Sequence, residues 1–342
     1  METIKSDALE PTSGDLKYMS AGQQVQSFFL VYGLPIAAVL LIILFSVLLP
    51  TSFPTSDNLR AIISVESPVA LLSLAAMIPM IAGRIDLTTG YGIVIWSILV
   101  ISFQTDYNIS WQLSILAVVI LGGLYGLLNG LLVEVAQIDS FIATLGTGTI
   151  LYALALWYTN GSQVVGQLPV IFTNINDGSF LGIATPAYIV AIFALIIWFF
   201  SERTPIGRVL YAIGANSRAA ELNGVRVKRY VVGSFVASGA LTAIAGVMLA
   251  AQLRVGQASV GLSYLLPALV GAFLGSTTIR PGRVNVGGTI TAIIVLSVGI
   301  AGIEQLGAAF YVSSLFNGII LVVSIGLAGL AQRRGSRRKS KK

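Results

Sequence analysis

Reactive side chains are scarce in this chain, and the scarcity narrows the chemistry open to it. Among 342 residues there is no Cys and no His, so disulfides, thiolate nucleophiles, thiolate metal sites and imidazole bases are all absent. No G-x-x-x-x-G-K-[ST] loop occurs, so the chain has no phosphate cradle of that type for ATP. No buried series of carboxylates offers a proton or sodium relay, which argues against a lone ion-driven carrier. What remains is a set of hydrogen-bonding groups in apolar surroundings: Asn129, Thr144, Thr147, Thr149, Tyr152 and Asn317, with Asp86 the one acid between two short apolar stretches. Uncharged hydroxyl and amide groups suit a neutral, hydroxylated solute, and polar groups inside apolar spans are costly enough to mark pathways. A threonine can equally bond its own helix backbone. Asp86, followed by Thr88 and Thr89, can equally cap the free N–H groups of a helix. Each residue therefore carries a structural reading beside the solute-path or gating one. No catalytic residue, cofactor or metal site is expected, and the chain reads as a non-enzyme.

The elements that must position these groups follow from composition. The chain is 56% hydrophobic and 10% charged, with a mean hydropathy of +0.88, whereas a soluble domain carries roughly 25% charged residues. A water-soluble enzyme, a DNA-binding module and a disordered chain are excluded, and no nucleic-acid partner is expected despite the net charge of +6. With about 20 apolar residues needed per crossing, ten spans are predicted, at 28–49, 67–83, 89–104, 111–133, 138–158, 183–201, 229–250, 261–278, 284–303 and 309–330. The expected fold class is an all-α polytopic membrane protein of about ten transmembrane helices. It comprises an N-terminal segment 1–27, a membrane domain 28–330 facing lipid, and a basic tail 331–342. If both termini are inside, 18 of the 20 Lys and Arg lie inside and only Arg60 and Arg254 outside. The positive-inside rule thus predicts two cytoplasmic termini.

Two connections are long. Residues 202–228 form the only long inner loop, and its middle reads as a short helix with Asn216 as N-cap and Gly224 closing the end. The outer stretch 159–182 lacks Lys and Arg and either meets a partner or is simply solvated. Within the fourth span, Gly122, Gly123, Gly126 and Gly130 recur at spacings that let helix backbones approach closely.

The motifs carry a resemblance. Gly83-Arg84-Ile85-Asp86-Leu87-Thr88-Thr89-Gly90 resembles the G-G-I-D-L-S-x-G signature of permease subunits of ribose-type sugar ABC importers. Thr204-Pro205-Ile206-Gly207-Arg208, Ala212 to Asn216 and Ala219 to Val225 are similar to that family's coupling loop. Gly275-Ser276-Thr277-Thr278, Gly282-Arg283-Val284 and Gly287-Gly288-Thr289 are similar to a later glycine-rich segment. The resemblance implies a type II-like ABC importer permease in the bacterial inner membrane. It implies a homodimer served by ABC ATPase subunits inside and a periplasmic sugar-binding protein outside. It assigns ATPase coupling to Gly214, Asn216, Ala219, Ala220, Glu221 and Gly224, with Ala219 and Ala220 facing the partner. The sequence departs from the family pattern at Arg84, at Leu274, and in Gly261 to Leu269, which holds no acid. The solute is therefore left open among ribose, another pentose, a hexose, a polyol and a sugar derivative. Two rival readings are a branched-chain amino-acid or urea-type ABC permease and a stand-alone secondary transporter.

Overall fold

A computed structural model describes residues 21–309, 311–320, 322 and 323. The predicted tail and most of the N-terminal segment lie outside the described residues, as does much of the tenth span. Among the described residues, nine helices are long and apolar enough to cross a membrane. They arise from α1 (Ala21–Leu48), α2 (Ser56–Ile81), α3 (Thr88–Thr105), α4 (Trp111–Glu134), α5 (Ser140–Thr159), α7 (Thr185–Trp198), α10 (Val227–Leu253), α11 (Leu262–Gly275) and α12 (Val286–Gln305). Between them lie α6 (Val170–Asp177), α8 (Pro205–Ala215) and α9 (Ser217–Leu222). A short apolar helix, α13 (Tyr311–Ile320), falls in the predicted tenth span.

Three boundaries differ from the sequence expectation for physical reasons. Helix α2 starts eleven residues before the predicted 67 because Thr55 Oγ1 accepts from Asn58 N at 3.2 Å and caps it. Asp57, Arg60 and Glu66 lower the hydropathy of that first half without breaking the helix. Helix α11 ends three residues before the predicted 278 because the chain turns at Ser276 and Thr277, whose N–H groups bond the Phe273 and Leu274 carbonyls at 3.0 Å. The inner loop holds two helices rather than one, since Pro205 starts α8 and Asn216, with φ −161° and ψ 96°, breaks the chain before α9.

Helix α10 is central, touching α2, α3 and α4. Its closest partner is α4, whose Gly122, Gly126 and Gly130 lie against Gly239, Phe235 and Val232. A Cβ added to Gly126 would sit 2.1 Å from the Phe235 carbonyl oxygen. Small residues therefore set this contact, as the glycine spacing anticipates. The outward face of α4 presents Leu113, Leu116, Ile120, Leu124 and Leu131, a surface suited to lipid. Two antiparallel ribbons complete one end: β1 (Gln163–Val165) with β4 (Val255–Gln257), and β2 (Ser179–Phe180) with β3 (Ile183–Ala184). The opposite end carries α8 and α9.

Gly126→Val should separate α4 from α10, exceeding the about 1–3 kcal/mol of ordinary overpacking. Gly146→Ala, whose added methyl meets nothing within 4 Å, should leave the melting temperature of the detergent-purified protein unchanged. Equal melting temperatures for the two variants would refute this packing.

Candidate functional site

Between α2 and α3 the chain leaves the helix for six residues, Ala82 to Leu87, inside the bundle. Gly83 turns it at φ +74°, and Asp86 then enters the core, 1% exposed. Its Oδ1 accepts from Thr88 N at 3.0 Å and from the Thr88 hydroxyl, so the carboxylate caps α3. Its Oδ2 accepts from Ser238 Oγ of α10 at 2.7 Å. Arg84 turns away from Asp86 and pairs with Glu134 at the end of α4, at 2.9 Å. The two charges near the break are thus satisfied separately.

Helix α5 closes the same break from the other side. Ser140 Oγ accepts from Ile85 N at 3.1 Å and Thr144 Oγ1 accepts from Leu87 N at 3.0 Å. Asn129 Nδ2 donates to Thr88 Oγ1 at 3.4 Å, and Thr147 Oγ1 donates to Asn129 Oδ1 at 2.7 Å. Tyr125 donates to the Thr147 carbonyl at 2.7 Å. Asp86, Asn129, Thr144 and Thr147 therefore form one buried network with Thr88, Ser238 and Tyr125. Thr144 and Asn129 are fully buried, and their polar groups are spent on one another and on backbone. The groove between α3, α4 and α5 holds a cavity of about 420 Å³ walled by Trp96, Tyr125, Leu128 and Leu151, beside this tie. Thr149 is not part of it: it faces outward and bonds its own Leu145 carbonyl at 2.7 Å. Asn317 belongs to a different layer, where its neighbours Phe316 and Ile320 pack on Val69, Val270 and Leu296.

The exposed polar groups lie elsewhere. In the β1–β4 ribbon Gln163 stands opposite Gln257, and the two side chains hydrogen-bond. The ribbon is sunk into the bundle: a Cβ on Gly256 would lie 2.9 Å from Ile98 Cα, about 15 Å along α3 from its start at 1.5 Å per residue. Beside it, Phe172 of α6 is buried with Val118 and Val247. Ser259, Ser263 and Gln163 are exposed, and Gln257 is half-buried. Tyr91 and Tyr152, with rings 6.5 Å apart, join α3 to α5. Irregular backbone at membrane depth persists only where protein or water covers it. Sequence reasoning reached Tyr152 and Thr149 but not Gln163, Gln257, Ser259 or Ser263, because the ribbon pairs segments 94 residues apart.

At the opposite end, Asn216 Oδ1 accepts from Ala219 N at 2.9 Å and caps α9, while Gly224 takes φ +80°. Both residues occupy the positions expected of them. Ala220 does not: it is 7% exposed and packs into its own chain. Successive side chains of a helix are about 100° apart, so with Ala220 turned inward Ala219 lies on the exposed side. The outward face carries Ala219, Glu221 and Leu222, the last 75% exposed. Gly214 meets the break itself, because a Cβ there would lie 2.2 Å from the Ile81 carbonyl oxygen. Tyr211 anchors α8 by donating to the Val284 carbonyl at 2.7 Å, with the Arg283 guanidinium 3.5 Å above its ring. Burial, and then the Glu202 carboxylate, push the Tyr211 hydroxyl up to about 12.

Fold and site together define a class: a polytopic helical membrane permease whose connecting loop is packed directly on a helix break in the bundle. The chain belongs to the branched-chain amino acid transport system permease component family, which it matches over residues 58–325. It is similar to the ribose import permease protein RbsC of Haemophilus influenzae, 28% identical over 313 residues, covering 91% of this chain and 96% of that one. Against RbsC of Bacillus subtilis the identity is 31% over 287 residues, 84% and 88% of the two chains. Against the D-allose transport system permease protein AlsC of Escherichia coli it is 25% over 302 residues, 88% and 92%. No solved structure matches the chain. The resemblance drawn from its motifs is thereby borne out, and the chain is a multi-pass permease of the bacterial inner membrane.

Thr147→Val removes a buried donor and leaves Asn129 Oδ1 without it, which should cost about 1–3 kcal/mol of stability. Thr149→Val, at a back-bonded exposed site, should be neutral within about 0.5 kcal/mol. Thermal unfolding in detergent measures both, and a reversed order would place the network wrongly.

Proposed function

We propose that this permease passes a neutral, polyhydroxylated solute of the monosaccharide or polyol class. The observation that carries the reading is the uncharged surface of Gln163, Gln257, Ser259 and Ser263 at membrane depth, together with Tyr91, Tyr152 and Thr149. Amides and hydroxyls match sugar hydroxyls, and phenol rings match the apolar faces of a pyranose or furanose. The relatives named for ribose and D-allose support it. A branched-chain amino acid would bring a carboxylate and an ammonium group. Gly261 to Leu269 offers no charge to meet them, and Arg254 at the ribbon's edge is paired with Asp177. A second copy of the chain covers the polar surface and turns it into a path between protomers.

The basic end is cytoplasmic. Arg84, Arg203, Arg208, Arg218, Arg226, Lys228, Arg229, Arg280 and Arg283 gather there, against Arg60 and Arg254 at the ribbon end, which is the bias that orients membrane proteins. Separate ATPase subunits hydrolyse ATP and seat on α9, where Ala219, Glu221 and Leu222 face out. A periplasmic binding protein delivers solute at the ribbon end. Gly214, wedged on the Ile81 carbonyl, carries displacement of the loop to the Asp86 network and so to the start of α3. In this reading Asp86, Asn129, Thr144 and Thr147 position the moving helices, and solute does not touch them.

Uptake by proteoliposomes holding permease, ATPase and binding protein tests the solute. Ribose or allose should accumulate and leucine should not. Gln257→Leu with Ser263→Ala should lower sugar uptake about tenfold or more, the worth of one good hydrogen bond. Leucine uptake alone, or sugar uptake unaltered by that pair, would overturn the assignment. Coupling has its own test: Leu222→Glu should depress transporter-stimulated ATP hydrolysis while the permease stays folded. Ala220→Arg should instead destabilise the permease itself. For topology, Cys placed at Asn176 should label from the periplasm and Cys at Ser217 from the cytoplasm.

A further inference from the structure

A cavity lies at the basic end, apart from the ribbon. Val209 of α8, the Asn223–Arg226 turn, and Arg229 and Tyr230 of α10 enclose about 480 Å³. Arg226 and Arg229 line it and Lys228 lies between them in the chain, all exposed, and no ion pair is formed by any of them among the described residues. Several other arginines on this side are compensated: Arg84 by Glu134, Arg218 by Glu221, Arg280 and Arg283 by Glu202, while Arg203 lies against the Trp198 ring. The Tyr230 hydroxyl likewise has no hydrogen-bond partner among the described residues. Three cations next to the first turn of α10 also oppose the helix dipole, which favours negative charge at that end. An anion would relieve both costs.

The height of the cavity selects the kind of anion. The apolar run of α10 begins directly after it, at Val231. Gly233 and Ala237 continue outward along the exposed side of that helix. On the same end of the bundle, in the turn that follows α7, Arg203 lies 5.1 Å from the ring of Trp198, and Phe199 and Phe200 are exposed. Aromatic and basic side chains together mark the level of lipid headgroups. We propose that this pocket holds the phosphate of an anionic phospholipid, gripped by Arg226, Arg229 and the Tyr230 hydroxyl, with an acyl chain running along Gly233 and Ala237.

The test uses the full-length permease in nanodiscs of phosphatidylcholine doped with phosphatidylglycerol, followed by native mass spectrometry of retained lipid. Wild type should keep phosphatidylglycerol in preference to phosphatidylcholine. Arg226→Gln with Arg229→Gln should reduce that preference about thirtyfold, the combined worth of two arginines near an anionic surface. Arg226→Lys with Arg229→Lys, which preserves charge, should retain most of it and guards against misfolding as the cause. Removing equal charge elsewhere, with Arg60→Gln and Arg218→Gln, should change nothing. Displacement of the lipid by excess inorganic phosphate would make this a soluble-anion site and overturn the proposal. So would unaltered retention in the Gln pair, or loss of ATPase co-purification from that pair with lipid retention intact.

Discussion

A chain that leaves the helix inside a membrane protein must find its backbone hydrogen bonds within the protein, because hydrocarbon supplies none. The six residues from Ala82 to Leu87 face that constraint, and much of the loop end of the bundle is arranged around it. Asp86 caps α3, and Ser140 and Thr144 receive the N–H groups of Ile85 and Leu87. Ser238 holds the other carboxylate oxygen. Helices α3, α4, α5 and α10 are thereby fixed to one another by a carboxylate and a few hydroxyls and amides. Since each group has its partner, removing one leaves another buried and unsatisfied, which makes the network brittle as well as specific.

That brittleness gives the site a mechanical meaning. The loop helices do not hang from the bundle; they are bolted to it at two places. Gly214 lies on the Ile81 carbonyl at the very start of the break, and Tyr211 is held between Glu202, Arg283 and the Val284 carbonyl. A force applied to α9 therefore arrives at a segment of irregular backbone, where dihedral changes are least costly, rather than at the middle of a helix. From there α3 leads directly to the ribbon, because Val94 and Ile98 support Gly261 and Gly256. One helix joins the loop end to the ribbon.

The separation of the two polar regions resolves an ambiguity that residue types alone could not. Both contain uncharged hydrogen-bonding side chains in apolar surroundings. In one they are saturated by each other and shielded; in the other Gln163, Ser259 and Ser263 are exposed. Charge divides the molecule in the same way, with paired and unpaired basic groups at one end and two arginines at the other.

The sequence by itself determined whatever depends on composition and short spacing. Hydropathy located the spans, Asn216 and Gly224 declared the ends of α9, and the glycine row of α4 declared a close helix contact. Asp86 was legible as a cap because its acceptor lies two residues from the N–H it binds. What tertiary structure decided were the meetings of distant segments. Ser238 reaches Asp86 across 152 residues, Arg84 takes Glu134 rather than its neighbour, and Gln163 finds Gln257. Which face of a short helix turns inward was settled the same way, so that Ala220 is core and Leu222 is surface. A threonine's type states that it can donate a hydrogen bond. Whether Thr147 spends it on Asn129 or Thr149 on its own helix depends on which helix packs opposite, and no local spacing encodes that.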